Sequence, residues 1–450
     1  MIKIINFKII IIFFIILTSC SFDNKTGIWD GLGNEKERAR RIENDQNRNV
    51  EIVKIYSSQN TYSKEVEAVK NITLSKPKKN ASWETSNLNI QNTTGNIFLS
   101  SINNNFLKKK IGKNKFSNSN EYSSPLYFNK YIIFSDDVGN IFNINNKGKI
   151  NWKINIYKKI FKNVAKNLSF SIYKNKIYVA DNIGFVYSLN LKTGKVIWLK
   201  SLGIPIKSNI KIFENKIFLI NQDNKIFCLD SENGNKIWDV RTLSSFIKSQ
   251  NFLGMAISKN GILFALTSSG ELIKINASNG GVYWSLNTAG SMHANEADFF
   301  KSSDVVISGD EIILSTLSST ISLNSKDGYF NWEKEIASTN NPIIDGRNIF
   351  LVTDNGYFIN LDKKTGKTIW SVNLLKNLKN RKQKTKVTGF ILGSGKIYAT
   401  TLNGFLIVCS ATTGKIELSK KVGDKIIASP IIANNSLFIL TEKSKILGFN

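Results

Sequence analysis

The chain has 450 residues and carries 61 Lys and Arg against 34 Asp and Glu, a formal net charge of +27. Its 42% hydrophobic content is typical of a folded protein. One histidine and three cysteines leave few of the groups that zinc centres and histidine-dependent catalysis require. The excess lysine is scattered through predicted turns, which indicates a solvated surface that attracts anionic partners. We predict no specific nucleic-acid site.

Residues 1–19 are predicted to be a lipoprotein signal peptide. Lys3 and Lys8 precede the apolar run Ile9–Leu17, which is too short to span a bilayer. The following Thr-Ser-Cys resembles a bacterial lipobox, in which the chain is cut before the cysteine after lipid is attached to its sulfur. Cys20 is therefore the expected lipidation site, and Ser21 after it favours the outer membrane. The mature protein is expected to be tethered to the membrane without spanning it.

Residues 20–80 are predicted to be the lipidated cysteine and a flexible linker. This stretch has little apolar periodicity. Within it, residues 34–49 are dense in charge and could form a short helix, in which Glu37 and Arg41 are spaced to form an ion pair.

From residue 148 onward, a Gly-ending turn is followed four residues later by Trp six times and by Leu once. Successive glycines are 46, 40, 46, 48, 38 and 48 residues apart. A period of about 40–50 residues built from short strands predicts a β-propeller. The pairs are Gly148/Trp152, Gly194/Trp198, Gly234/Trp238, Gly280/Trp284, Gly328/Trp332, Gly366/Trp370 and Gly414/Leu418.

Each repeat predicts a four-stranded antiparallel blade whose turns favour glycine at positive φ. Such a blade is apolar on both faces, so the six Trp residues are expected to pack between neighbouring blades.

The predicted fold is all-β, an eight-bladed propeller over residues 81–450. Seven full repeats run from about residue 123 to 421, and three further strands complete the chain. The missing strand is expected from Asn105–Gly112, with Phe106 at the Trp position, so that an N-terminal strand closes the ring. Ala81–Ser100, including Trp83, is expected to lie outside the ring as an extra strand or a clasp.

The sequence predicts no catalytic residue and no metal site. His293 lies in a predicted loop without a surrounding apolar pocket. The stretch Asp230–Asn235 begins like a calcium loop, but position twelve is Arg241 where the bidentate Glu is required. Cys228 and Cys409 sit in apolar strands as expected core thiols.

The repeat Leu/Ile-Asp/Asn-x-x-Thr-Gly-Lys-x-x-Trp resembles the repeats of pyrroloquinoline-quinone dehydrogenases. Those enzymes are eight-bladed propellers that hold a quinone and calcium in the central channel. Their cofactor site includes adjacent disulfide-bonded cysteines, and this chain has no Cys-Cys pair. A periplasmic quinone dehydrogenase is therefore kept as an alternative function, and a lipoprotein that binds another ligand through its channel is a second alternative.

Lipobox, linker and uninterrupted propeller together resemble the outer-membrane β-barrel assembly lipoprotein family BamB, over residues 105–450. The resemblance implies a non-catalytic scaffold without a cofactor, anchored by lipid at the periplasmic face of the outer membrane. Its implied partners are BamA, the barrel-inserting subunit of the assembly (BAM) complex, and unfolded outer-membrane proteins.

The resemblance also implies two docking loops. The first follows Trp238, where the family's apolar-apolar-basic stretch reads Phe246, Ile247 and Lys248. The second follows Trp284, where an acidic family segment reads Asp298-Phe299-Phe300-Lys301-Ser302-Ser303-Asp304 and keeps the two outer Asp residues. Exposed aromatic and aliphatic tips ringed by charge are typical of interface anchors. In the alternative reading, these side chains fold back onto the propeller.

Overall fold

The computed structural model describes residues 21–23, 28–30, 35–52, 62–68, 72–116, 123–242, 248–249, 251–288, 301–376, 378 and 385–450. A short hairpin of β1 (Ser21–Asp23) and β2 (Ile28–Asp30) precedes helix α1 (Glu35–Ile52). From Asn105 to Phe449 the described chain forms a ring of eight four-stranded antiparallel sheets, which confirms the predicted eight-bladed propeller.

The first four blades follow one another in sequence, each with its strands in chain order. Blade 1 contains β4 (Leu126–Phe128), β5 (Tyr131–Ser135), β6 (Ile141–Asn145) and β7 (Ile150–Ile154). Blade 2 contains β8 (Leu168–Tyr173), β9 (Lys176–Asp181), β10 (Phe185–Asn190) and β11 (Val196–Ser201). Blade 3 contains β12 (Lys211–Phe213), β13 (Lys216–Ile220), β14 (Ile226–Asp230) and β15 (Lys236–Val240). Blade 4 contains β16 (Met255–Ile257), β17 (Ile262–Leu266), β18 (Glu271–Asn276) and β19 (Val282–Asn287).

The next three blades repeat this order, and the last is composite. Blade 5 contains β20 (Val306–Ser308), β21 (Glu311–Ser315), β22 (Thr320–Asn324) and β23 (Phe330–Lys334). Blade 6 contains β24 (Ile343–Asp345), β25 (Asn348–Val352), β26 (Tyr357–Asp362) and β27 (Thr368–Asn373). Blade 7 contains β28 (Val387–Gly393), β29 (Lys396–Thr401), β30 (Phe405–Ser410) and β31 (Ile416–Lys421). Blade 8 contains β32 (Ile431–Ala433), β33 (Ser436–Leu440), β34 (Lys445–Phe449) and the N-terminal β3 (Asn105–Lys110).

The N-terminal strand β3 closes the ring as predicted, but its register differs by one residue from the expectation. In complete blades, the residue before Trp is the bulged residue and Trp itself is paired, as Trp198 is with Ser188. In blade 8 the bulge falls on Phe106, so Leu107 is the residue paired with Gly448. The Phe106 ring still contacts Phe438, with centroids 5.9 Å apart. Phe438 is on the second strand of its blade, as are Phe218 and Phe264, which contact Trp238 and Trp284 in blades 3 and 4.

The first strands line the hub of the ring and the fourth strands form its rim. First strands of successive blades contact one another, whereas the fourth strands carry mostly exposed or half-buried residues. Each first strand runs from an inter-blade connection to the turn before the second strand. The connections and these turns therefore lie at opposite ends of the hub.

Helix α1 packs on the connection between blades 1 and 2, which the linker prediction did not anticipate. Ala39 and Ile42 are buried in the core of this region. The Arg38 guanidinium lies 4.8 Å from the centroid of the Phe185 ring, and it donates to the Ser201 hydroxyl at 2.9 Å. The expected Glu37–Arg41 ion pair forms on the exposed side. At least residues 35–46 of the predicted linker are therefore folded onto the propeller.

Candidate functional site

The hub is crossed by residues 72–100, which we call the plug. The sequence placed Ala81–Ser100 outside the ring, and this expectation was wrong. The plug hydrogen-bonds to the first strand, or to the turn after it, in every one of the eight blades. The contacted residues, in order of blade, are Tyr127, Ile172, Lys211, Met255, Ile307, Asp345, Leu392 and Asn434.

The physical reason for the plug is the edge of each first strand. One edge of each first strand faces the hub and is not paired within the blade. The N–H and C=O groups on that edge need hydrogen-bond partners once they are buried. Tyr127 and Trp83 exchange two backbone bonds of 2.7 and 3.0 Å, and the Ile172 N–H donates to the Glu84 carbonyl at 2.7 Å. Because the plug contacts the turn residues Ser394 and Asn434, it lies at the end of the hub opposite the inter-blade connections.

Asn92 is a buried polar residue of the plug. Its amide nitrogen donates to the Met255 and Val305 carbonyls at 2.9 and 2.7 Å, which joins blades 4 and 5. Its amide oxygen accepts from the ammonium group of Lys211, whose side chain is 0% exposed. Burial lowers the pKa of Lys211 to about 8, although Asp304 opposes this shift.

Asp304 is also a wall residue of the hub, so it does not lie on the surface where the docking-loop expectation needs it. It is 2% exposed. Its carboxylate accepts from the Met255 N–H at 2.6 Å and from the Asn87 amide at 2.9 Å. Burial raises its pKa, and the charge of Lys211 opposes that shift. The network of Asp304, Lys211 and Asn92 is therefore an internal polar core between ring and plug.

The other docking-loop residues are only partly described. Lys248 is exposed on the connection from blade 3 to blade 4. Phe246 and Ile247 in that connection, and Asp298, Phe299 and Phe300 in the connection from blade 4 to blade 5, lie outside the described residues, as do Cys20 and His293. Both connections leave the ring at the same end, from consecutive blades.

The six repeated Trp residues lie at the blade interfaces. In five of them the indole N–H donates to a backbone carbonyl of the next blade at 2.8–3.2 Å. Trp370 differs because its buried indole nitrogen has no hydrogen-bond partner among the described residues, yet it packs on Phe358 with centroids 4.7 Å apart.

The part of the hub on the side of the connections contains a cavity. It is lined by plug residues, including Trp83, Asn87 and Asn92, and by neutral residues in or just before the first strands of blades 1, 6, 7 and 8. Within the described ranges, no group of three His, Cys, Asp or Glu is placed to hold a metal ion. Cys228 and Cys409 are buried free thiols, and burial raises the pKa of Cys228 to about 12, so it is unreactive. No helix in the described part of the chain is long and apolar enough to span a bilayer.

Comparison with known proteins supports one family. Residues 138–372 match the family model described as outer membrane protein assembly factor BamB. The protein of that name from Moranella endobia is 19% identical over 341 residues, covering 62% of this chain and 84% of the relative. The one from Escherichia coli is 20% identical over 331 residues, covering 62% and 82%.

Solved structures agree on the fold. The crystal structure of BamB from Moraxella catarrhalis has a TM-score of 0.61 at 14% identity, and the alignment covers 76% of this chain and 100% of that one. A europium-containing methanol dehydrogenase has a TM-score of 0.62 at 12% identity, covering 80% and 89%. At such identities these likenesses establish the fold alone, whereas the family model spans more than half of the chain. The chain therefore belongs to the outer membrane protein assembly factor BamB family.

Proposed function

We propose that this chain is a non-catalytic scaffold lipoprotein of the BAM complex, held at the periplasmic face of the outer membrane by lipid on Cys20. It docks on a BamA-like barrel-inserting subunit and assists the insertion of outer-membrane β-barrel proteins. The observation that carries the proposal is the family match over residues 138–372, which includes both connections predicted to dock.

The geometry of the hub favours a scaffold over a quinone dehydrogenase. The plug crosses the hub, and the buried ammonium group of Lys211 is satisfied by the plug itself. The described residues that line the remaining cavity include no carboxylate, the ligand type that calcium prefers. A plugged ring with the exposed Lys248 on one of its inter-blade connections suits a protein that offers its surface to neighbours.

Depletion of the protein tests the proposal in cells. The levels of folded β-barrel proteins in the outer membrane are expected to fall, and wild-type protein is expected to restore them. A Cys20→Ala variant should fail to incorporate labelled palmitate and should restore them poorly. Unchanged barrel levels after depletion would argue against a role in assembly.

Reconstitution tests the enzymatic alternative. Purified protein mixed with calcium and pyrroloquinoline quinone is expected to show no bound-quinone absorbance after gel filtration. Retention of the quinone at one equivalent, with oxidation of an alcohol, would establish the dehydrogenase function in place of the scaffold.

A further inference from the structure

The rim of the propeller exposes apolar side chains on open strand edges. The large hydrophobic residues with high exposure in the described chain all lie on fourth strands or next to them. The highest exposures cluster on blades 4 and 5. These residues are Ile150, Ile197, Ile237, Val282, Tyr283, Tyr329, Phe330 and Leu418.

One of these edges is already occupied by an extended segment of the same chain. Residues 62–68 lie along β27 of blade 6, where Val66 and Ser371 exchange backbone bonds of 3.0 and 2.9 Å in antiparallel pairing. The Tyr62 hydroxyl donates to the Ser371 hydroxyl at 3.0 Å, and the Asn373 N–H donates to Glu65 at 3.1 Å.

Coverage by this N-terminal stretch changes the exposure of the rim. Ile369 of blade 6 precedes its Trp and packs into a cluster with Ala68 and Leu74. Ile197 and Ile237 hold the same place in blades 2 and 3, where no segment among the described residues covers the edge, and they are 43% and 45% exposed. An added strand therefore buries apolar surface as well as pairing backbone groups.

The outer edge of β19 in blade 4 resembles the edge of β27 that residues 62–68 cover. Of the six repeated Trp residues, Trp284 and Trp370 are the two that are followed by Ser, an aliphatic residue and Asn. The sequences are Trp-Ser-Leu-Asn in β19 and Trp-Ser-Val-Asn in β27. The registers also agree, because Ser285 pairs with Ile273 as Ser371 pairs with Ile359, and each Ser directly follows a paired Trp.

The shared register of β19 and β27 shows which backbone groups of β19 can bond to an added strand. The N–H and C=O of Ser371 point outward, since both bond to Val66. The same register directs those of Ser285 outward from blade 4. Beside them, Val282 is 52% exposed and Tyr283 is 55% exposed.

We propose that the outer edge of β19 binds an extended segment of an unfolded β-barrel protein as a fifth, antiparallel strand. The pairing follows that of residues 62–68 on β27, with backbone bonds to Ser285 and apolar side chains of the client over Val282 and Tyr283. The edge of β19 would then be the site at which the scaffold contacts its clients. Only the identity of the natural client rests on the proposed function.

The probe is a fluorescent peptide with the sequence of residues 62–68, Tyr-Ser-Lys-Glu-Val-Glu-Ala, added to the full-length protein. Blade 6 is filled by the native segment, so the peptide is expected to bind at β19 and to saturate in fluorescence anisotropy. N-methylation of the peptide valine removes the N–H that pairs with the strand edge and should weaken binding about tenfold.

The protein variant is Ser285→Pro, which removes the outward N–H without removing a bond to β18. It should weaken peptide binding about tenfold or more. The matched control is Ser419→Pro on β31 of blade 7, where the same residue type has the same register but the following residues are Lys420 and Lys421. This control should change binding by less than about twofold, and thermal melts establish that both variants fold.

Three results would overturn the proposal: no saturable binding at millimolar peptide, equal affinity for the N-methylated peptide, or equal losses in the two proline variants. Failure here is distinct from failure of the scaffold function. If Ser285→Pro still co-purifies with the barrel-inserting subunit, the scaffold function stands whatever the peptide result.

Discussion

The indole ring of Trp152 in blade 1 lies directly against Gly194 in blade 2. A Cβ added at Gly194 would come within 2.6 Å of the ring. The same contact recurs between the later pairs of blades up to blade 7, so the Gly of one repeat lies against the Trp of the repeat before it, although at Gly328 an added Cβ would meet Leu286 at 2.6 Å and Trp284 only at 3.5 Å. The further pairs are Trp198/Gly234, Trp238/Gly280, Trp284/Gly328, Trp332/Gly366 and Trp370/Gly414.

This contact predicts that Gly194→Ala lowers the free energy of unfolding by more than the strained backbone conformation alone would. Gly194 has φ +71°, and Gly203 has φ +75° with no atom within 4 Å of an added Cβ. Alanine at Gly203 should cost about 1 kcal/mol from left-handed strain. Alanine at Gly194 should cost about 3 kcal/mol, since overlap with the ring adds to the strain. Chemical denaturation measures both, and equal losses would refute the role of the Trp–Gly contact.

The plug is predicted to stabilise the ring through Asn92. Asn92→Ala removes two bonds to blade carbonyls and the acceptor of the buried ammonium group of Lys211, so the free energy of unfolding should fall by about 2–4 kcal/mol. Lys79→Ala, at an exposed plug position, should change it by less than about 0.5 kcal/mol. Denaturant titration compares the two, and similar small effects would show that the hub does not depend on the plug.

The buried ammonium group of Lys211 is predicted to make the stability of the protein increase with pH. Its pKa is lowered by burial from 10.5 to about 8, so between these values the unfolded state binds more protons than the folded state. Wild-type stability should therefore rise relative to Lys211→Met as the pH increases from 8 toward 10, by up to about 3 kcal/mol. Tyrosine titration affects both proteins alike and cancels in the comparison. A difference that is constant from pH 7 to pH 10 would rule out a buried, destabilised ammonium group.

Helix α1 is predicted to be held mainly by Arg38. Arg38→Ala removes the cation–π contact with Phe185 and the bond to Ser201, which should raise amide hydrogen exchange across residues 35–46. The control is Arg41→Ala, whose side chain is 75% exposed and forms its ion pair with Glu37 of the same helix. Exchange that rises equally in both variants would mean that helix propensity, not docking, holds the segment in place.

The two charged residues first assigned to docking are predicted to behave differently. Lys248→Glu should weaken co-purification with the barrel-inserting subunit at an unchanged melting temperature, because Lys248 is exposed. Asp304→Lys should lower the melting temperature, because it places a second cation beside buried Lys211. Lys259→Glu, exposed on the opposite end of blade 4, should alter neither property. Loss of the partner in the Lys259 variant would move the docking surface to the other end of the ring.

The ring itself could be predicted from the sequence because its main contact is repeated. Every Trp–Gly interface leaves the same local signature, and the missing strand at the C-terminus required β3 to close blade 8. The one-residue error at Phe106 arose because a β-bulge shifts register without leaving a mark in the hydrophobic pattern.

The plug could not be predicted in this way. Its residues have no period, and the partners of Asn80 and Asn92 are backbone groups of first strands that come together only when the ring closes. Asp304 was misplaced for a related reason, since nothing in the sequence marks where a surface connection ends and a hub wall begins. The docking of α1 depends on few buried side chains, among them Ala39 and Ile42, which give a weak apolar pattern.

The most direct test of the scaffold function is purification of the tagged protein from native outer membranes in mild detergent, with quantification of what elutes. We predict that the barrel-inserting subunit co-elutes in a fixed ratio near one to one, and that Lys248→Glu lowers this ratio while Lys259→Glu does not. Elution of the folded wild-type protein alone would contradict membership in the assembly complex.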